Sequence, residues 1–362
     1  MHQLNVALLK KSINAFLIII CCLTLIASAQ VTQPVTRAEY VRLLYSIQKD
    51  PQAVDKIIQE VRQRGIDFDF NDALRGLTRT KSNGNSELVR VLEQANRKRQ
   101  NPASAAMPSD VETAAILEKA RQKTLEAVGE MPDFVVKQQI QRSASFAGTG
   151  NFRNLDKLIV AVSYRSTGQE QYRLLAINGM PQVDQNPKGS YEDAGGTSST
   201  GEFVNVLATI FKPESETDFK LVDTDTVRNR PALIFEYSIT KEKARQQIIS
   251  AGSVTESAVT GMRGRIWVDR EVFRVLRVES EATEIPEGFP VTAARRTIDY
   301  DWAQISDEKY LLPLVADVRL TIREKNNSFE TRNLIRFVNY QKFGSEVTIG
   351  PEDSEPVKEE KP

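Results

Sequence analysis

Apolar positions change period once along the chain, near Pro132: before it they recur every three or four residues, and after it they alternate. Tyr40, Leu44 and Ile47 form a first stripe behind Thr36-Arg-Ala-Glu39, which has capping-box spacing. Val54, Ile57, Ile58 and Val61 form a second, with Asp50-Pro51 predicted as its N-cap and first helical residue and Gly65 as its stop. A turn with Phe68 and Phe70 leads to a short helix around Ala73 to Leu77, and Leu88, Val91, Leu92 and Ala95 mark a fourth. One stripe per helix predicts a small bundle, the helical module of residues 30–100. Residues 97–110, RKRQNPASAAMPSD, lack a period and predict a linker, bounded at 101–111. Asp110 is placed to cap a helix to about Val128, whose face of Leu117, Ala120, Thr124 and Val128 is thin.

Segments 134–146, 157–165 and 170–177 then read as strands, with Asn178-Gly179 as a turn signal. A Gly/Ser/Thr loop at 195–201 leads to a short helix with Phe203, Leu207, Ile210 and Phe211, stopped by Pro213. Further on, Leu233, Phe235, Tyr237 and Ile239 share a strand face, as do Ile298, Tyr300 and Trp302, and Val318, Leu320 and Ile322. Their alternates are often charged, which is the pattern of an antiparallel sheet dry on one side. Residues 264–281 predict a hairpin turning at 269–271; residues 241–249 read as helix or strand. The tail 350–362, GPEDSEPVKEEKP, has no apolar cluster and is expected to be disordered. The fold class expected is α+β: a small N-terminal helical bundle, then a curved antiparallel sheet, an incomplete β-barrel, covered by two short helices. Two short helices are little cover for at least eight strands. The sheet must curl on itself, pair with a partner or keep an apolar hollow for a ligand.

The start of the 362-residue chain narrows the chemistry. Lys10 and Lys11, an apolar run of about 15 residues and Ala27-Ser28-Ala29 form a secretory signal peptide over residues 1–29, cleaved after Ala29. The run is short of the ~20 residues of a membrane anchor, so no transmembrane segment is expected in the mature chain. Ile19-Ile20 before Cys21 does not fit lipidation. The single His, at position 2, and both cysteines, Cys21 and Cys22, fall inside that segment. A mature chain without thiol or imidazole excludes Cys/His metal sites, Ser-His-Asp and Cys-His catalysis, and disulfides. No cofactor and no metal are expected. Loss of Lys10 and Lys11 leaves 46 basic against 48 acidic residues, a net charge of −2 with no footprint for nucleic acid. A periplasmic or secreted location follows.

The order helix, strands, plugging helix, strands behind an export signal resembles the periplasmic lipoprotein-carrier (LolA/LolB-like) superfold over residues 112–349. The phrases that carry the resemblance are ILEKAR at 116–121, GRIWVDREVFRVLRV at 264–278, and Ile298 to Trp302 followed by Leu311-Leu312-Pro313. The resemblance implies a curved, incomplete barrel that holds acyl chains; no functional residue of the family matches a position here. The function expected is that of an exported, non-enzymatic carrier or binding protein for a lipid, a lipoprotein acyl chain or another apolar ligand in the bacterial cell envelope. Its candidate contacts are Phe235, Tyr237, Tyr300 and Trp302. One alternative is an envelope scaffold with a filled sheet that binds a protein partner through residues 36–99. A second is a hydrolase using Asp299, Asp301, Glu279 and Glu281, since two spaced acids can cleave a sugar bond. Arg265, Arg274, Arg277, Arg319 and Arg323 either line an anion groove or pair across strands with Glu279, Glu281 and Asp317.

Overall fold

The computed structural model describes residues 33–357 apart from 183–195, 198–200, 204, 252–254 and 325–326. The signal segment, its cleavage point, the His and both cysteines lie outside the described residues. Four helices come first: α1 (Arg37–Ser46), α2 (Ala53–Arg64), α3 (Asp72–Lys81) and α4 (Ser86–Gln100). The capping box forms, with Thr36 Oγ1 accepting from the Glu39 N–H at 3.2 Å and the Glu39 carboxylate accepting from the Thr36 N–H at 3.5 Å. Asn71 and Asn85 cap α3 and α4 with their side-chain oxygens, which accept from the Leu74 and Leu88 N–H. Helix α2 starts two residues later than the Asp50-Pro51 signal implied, because the Asp50 carboxylate caps a turn through the Gln52 N–H at 3.1 Å. It ends at Gly65, whose φ of 68° is the positive-φ stop that glycine allows. Tyr40, Leu44, Ile57, Val61, Phe70, Leu88 and Leu92 bury together, so the bundle has its own apolar core.

Helix α5 (Asp110–Gly129) is capped by Ser109 rather than by Asp110. Twelve strands follow: β1 (Phe134–Phe146), β2 (Arg153–Tyr164), β3 (Glu170–Ile177), β4 (Met180–Pro181), β5 (Asp218–Val227), β6 (Arg230–Ile239), β7 (Gln246–Ala251), β8 (Thr255–Asp269), β9 (Val275–Thr283), β10 (Val291–Ile305), β11 (Glu308–Glu324) and β12 (Asn327–Lys342). Helix α6 (Asn205–Phe211) stands between β4 and β5, and the one-turn α7 (Lys241–Ala244) between β6 and β7, so residues 241–249 contain both helix and strand. The strands form one antiparallel sheet in the order β4-β3-β2-β1-β12-β11-β10-β9-β8-β6-β5, with β7 added to β8, and among the described residues the two ends do not pair. Residues from strands far apart in that order, Phe134 and Val160 at one side and Phe235 and Tyr237 at the other, share one core with Ile116 and Ala120 of α5 and Val206 and Ile210 of α6. The sheet therefore curls round its two covering helices and stays open.

Two expectations need correction. The tail is not disordered throughout: residues 351–354 form a 3-10 turn, and Asp353 and Val357 are buried on the sheet. Residues 101–111 are not a free linker, since Thr224 Oγ1 donates to the Ala105 carbonyl at 3.1 Å and α5 has begun by Asp110. Polar partners on the sheet, invisible to periodicity, hold both segments.

Candidate functional site

On the inner face, three of the four predicted contacts are buried: Phe235, Tyr237 and Tyr300 are at most 3% exposed. The hydroxyl of Tyr237 donates to the Glu279 carbonyl at 3.1 Å, and burial raises both tyrosine hydroxyls above their ordinary range. Trp302 departs from the expected parity and is 41% exposed, beneath the Arg274 guanidinium at 5.8 Å. Beyond it Ala303 and Ile305 meet the core instead, and next to Tyr300 the β10–β11 pairing slips, with Asp299 opposite Val315 but Tyr300 opposite Pro313. Near α6, Phe203 makes edge contacts with Phe134 and Phe337, both with ring centroids 5.4 Å away, and Phe134 stacks on Tyr164 at 4.9 Å. This cluster packs rings against the inner face of the sheet. The inner side has a crevice of about 20 Å³ between Thr124, Val128, Met131, Phe203, Leu207, Val275 and Leu311. Ligand pockets are on the order of 300–1,000 Å³, so the crevice is a seam rather than a pocket.

The seam runs along α5, the lightest part of the cover. Of its twenty residues only Ile116, Ala120 and Thr124 are buried, with Leu117, Leu125 and Val128 half-buried. Thr113 Oγ1 and Thr124 Oγ1 are buried without a hydrogen-bond partner among the described residues. A pair of acids that the sequence reading passed over sits on the same side. Glu202 is fully buried, and Glu170 accepts from the Tyr172 hydroxyl and from the Gly201 N–H at 3.1 Å. Burial, with the charge of Glu202 behind it, raises the Glu170 carboxyl.

The outer face carries charge. Helix α4 docks on it: Arg90 meets Glu279 at 2.6 Å and lies over Trp267 at 4.8 Å, Gln94 donates to Asp223 at 2.8 Å, and Arg97 and Lys98 pair with Asp225 and Asp223. Trp267, wholly buried, donates its indole N–H to Asp225 at 2.9 Å. Beside this contact lies a cleft of about 790 Å³, walled by Ser86 and Arg90 of α4, its cap Asn85, and Asp55 and Arg62 of α2, and floored by β6 and β8 to β12. Arg265, Arg277 and Arg319 line it; Arg274 sits at the crevice instead, and Arg323 does not line the cleft. The four candidate hydrolytic acids are all ion-paired: Glu279 to Arg90, Glu281 to Arg263 and Arg295, Asp299 to Arg277 at 2.7 Å, and Asp301 to Arg228 at 3.5 Å. Glu279, Glu281 and Asp299 line the cleft with their arginine partners, and Asp301 does not line it. Among the described residues no three His, Cys, Asp or Glu side chains gather as a metal site, and no helix is long and apolar enough to cross a membrane.

The open antiparallel sheet wrapped on helices is the α+β architecture that the sequence pattern implied. No protein-family model and no curated relative matches the chain. Among solved structures it is similar to a LolA superfamily protein from Nitrosomonas europaea, at 13% identity over 64% of this chain and 94% of that one, with a TM-score of 0.28. A DUF1329 family protein from Desulfovibrio piger is similar at 11% identity over 65% and 94%, with a TM-score of 0.27. The MucA/MucB complex of Pseudomonas aeruginosa follows at 12% identity over 61% and 94%, with a TM-score of 0.17. At these identities and scores the likeness says nothing of a ligand.

Proposed function

We propose that this chain is an exported, non-enzymatic binding protein of the cell envelope that admits an apolar ligand, a lipid or an acyl chain, to the inner face of its sheet by displacement of α5. The observation that carries the reading is the disparity between that face and its cover. The wall is a continuous set of large apolar side chains, while α5 fully buries one large apolar residue, Ile116. Burying such a side chain stabilises by about 1.5–3 kcal/mol, small beside the 5–15 kcal/mol of a typical fold. Helix α5 is therefore the element whose displacement the proposal requires, and the crevice at Met131, Phe203 and Leu207 is where it would part. Phe235, Tyr237 and Tyr300 would meet a ligand after that movement; Trp302, on the rim, would not.

A specific observation favours a second reading, a scaffold that binds a protein partner: the inner face already buries one large apolar cluster with α5 and α6. Native mass spectrometry of the mature chain incubated with palmitate separates the two. Adducts of the ligand mass, lost when Leu207→Arg blocks the seam, support the carrier; apoprotein alone at saturating palmitate moves the assignment to the scaffold.

A further inference from the structure

The outer face holds a second site, independent of the apolar one. Strand register places one row of charge straight across five strands: Arg263 of β8 faces Glu281 of β9, which faces Arg295 of β10, then Arg319 of β11, then Arg332 of β12. Three arginines stand directly opposite one another, an arrangement that costs stability unless anions gather on it. The chain supplies some. Asp317 takes Arg319 at 3.1 Å and Arg332 at 2.8 Å; its burial opposes ionisation, but the two guanidinium groups overcome it and hold the carboxyl well below its usual range. Glu330 lies 3.6 Å from Arg319. Glu281 is shared between Arg263 at 3.0 Å and Arg295 at 3.2 Å. Those two arginines stay 63% and 62% exposed at their side chains, and Arg295 gives Glu281 its Nε alone of five N–H donors. Donors in excess of acceptors point into the open cleft.

The same face already carries an acidic segment, the chain's own. The fully buried Lys137 meets Asp353 at 2.8 Å and Glu352 at 2.9 Å, and Gln139 donates to Asp353 at 2.7 Å. Val357 packs on Val315 and Leu334, which also line the cleft, so the tail's seat and the arginine row are continuous. We infer that the cleft binds an extended, carboxylate-bearing peptide segment of a partner, laid along Arg263, Arg295, Arg319 and Arg332 beside the chain's own tail. Guanidinium forks match carboxylates in pairs. Asp55, Asp218 and Glu236 on the rim repel a dense polyanion while leaving room for isolated acids.

The test is fluorescence anisotropy of the mature chain with a labelled peptide of alternating Glu and Ser, about eight residues long so that at ~3.3 Å per residue it spans the row. Binding is expected at low ionic strength and should weaken as salt rises. R263A/R295A, changed only at exposed side chains, should lower affinity about tenfold or more, and E281Q, which removes the carboxylate competing for both, should raise it severalfold. Circular dichroism of both variants should match the parent. Absence of peptide binding at low salt, unchanged affinity in R263A/R295A, loss of affinity in E281Q, or tighter binding of tripolyphosphate than of peptide would each overturn the inference.

Discussion

The two faces of the one sheet solve the same problem, covering, by opposite means. The inner face is sealed by shape: Phe134, Tyr164, Phe203 and Phe337 interlock and need no partner charge. The outer face is sealed by ion pairs that long, separate segments bring to it, α4 from the bundle and the tail from the far end. The difference teaches where each face can open. Apolar packing opens by moving a whole helix, whereas a charged surface opens one side chain at a time.

The contrast breaks most visibly at Phe203. Phe203→Ala should cost about 3–5 kcal/mol by urea unfolding, since neighbouring rings close only in part on the hole. A loss under about 1 kcal/mol would mean that the aromatic cluster is looser than its contacts imply. Lys137→Ala should cost less, about 1.5–3 kcal/mol, because Asp353 escapes to water once the tail lifts. Its signature is fast hydrogen exchange over residues 345–357 with the inner strands still protected.

Acid should produce the same release in the parent chain. Burial of Asp353 raises its carboxyl, but the Lys137, Gly350 and Gln139 hydrogen bonds prevail and leave it lowered. The tail's contribution is then complete above the unfolded carboxyl value of about 3.9 and is lost as pH falls through the lower folded value. Protection over 345–357 that does not weaken as pH falls below about 3.9 would contradict this. Trp267→Phe, which removes the indole donor to Asp225 but keeps a ring beneath Arg90, should cost about 1–2 kcal/mol and loosen the bundle's hold on the sheet. Smallest of all, Glu281→Gln should change stability by under about 0.5 kcal/mol, because exposed pairs contribute little. A larger loss would make the arginine row structural.

Helices were legible where caps and stripes coincide, as at Thr36 and Gly65, and strands where alternation is long, as from Leu233 to Ile239. Parity placed Phe235, Tyr237 and Tyr300 on the buried side of the sheet but not Trp302, which is 41% exposed because β10 turns Ala303 and Ile305 to the core beyond Tyr300. Arg90, Gln94, Arg97 and Lys98 have the pattern of a solvated helix face, and only the fold sets Asp223, Asp225 and Glu279 opposite them. The arginine row escaped for the same reason: Arg263, Arg295, Arg319 and Arg332 stand on four different strands and meet only through register.

Hydrogen exchange along α5 during palmitate titration bears most directly on the inner-face assignment. Saturable binding should be accompanied by loss of protection at Ile116 to Thr124, with β1, β10 and β12 still protected. Palmitate that leaves the exchange of α5 unchanged would contradict the proposal that this helix is the door.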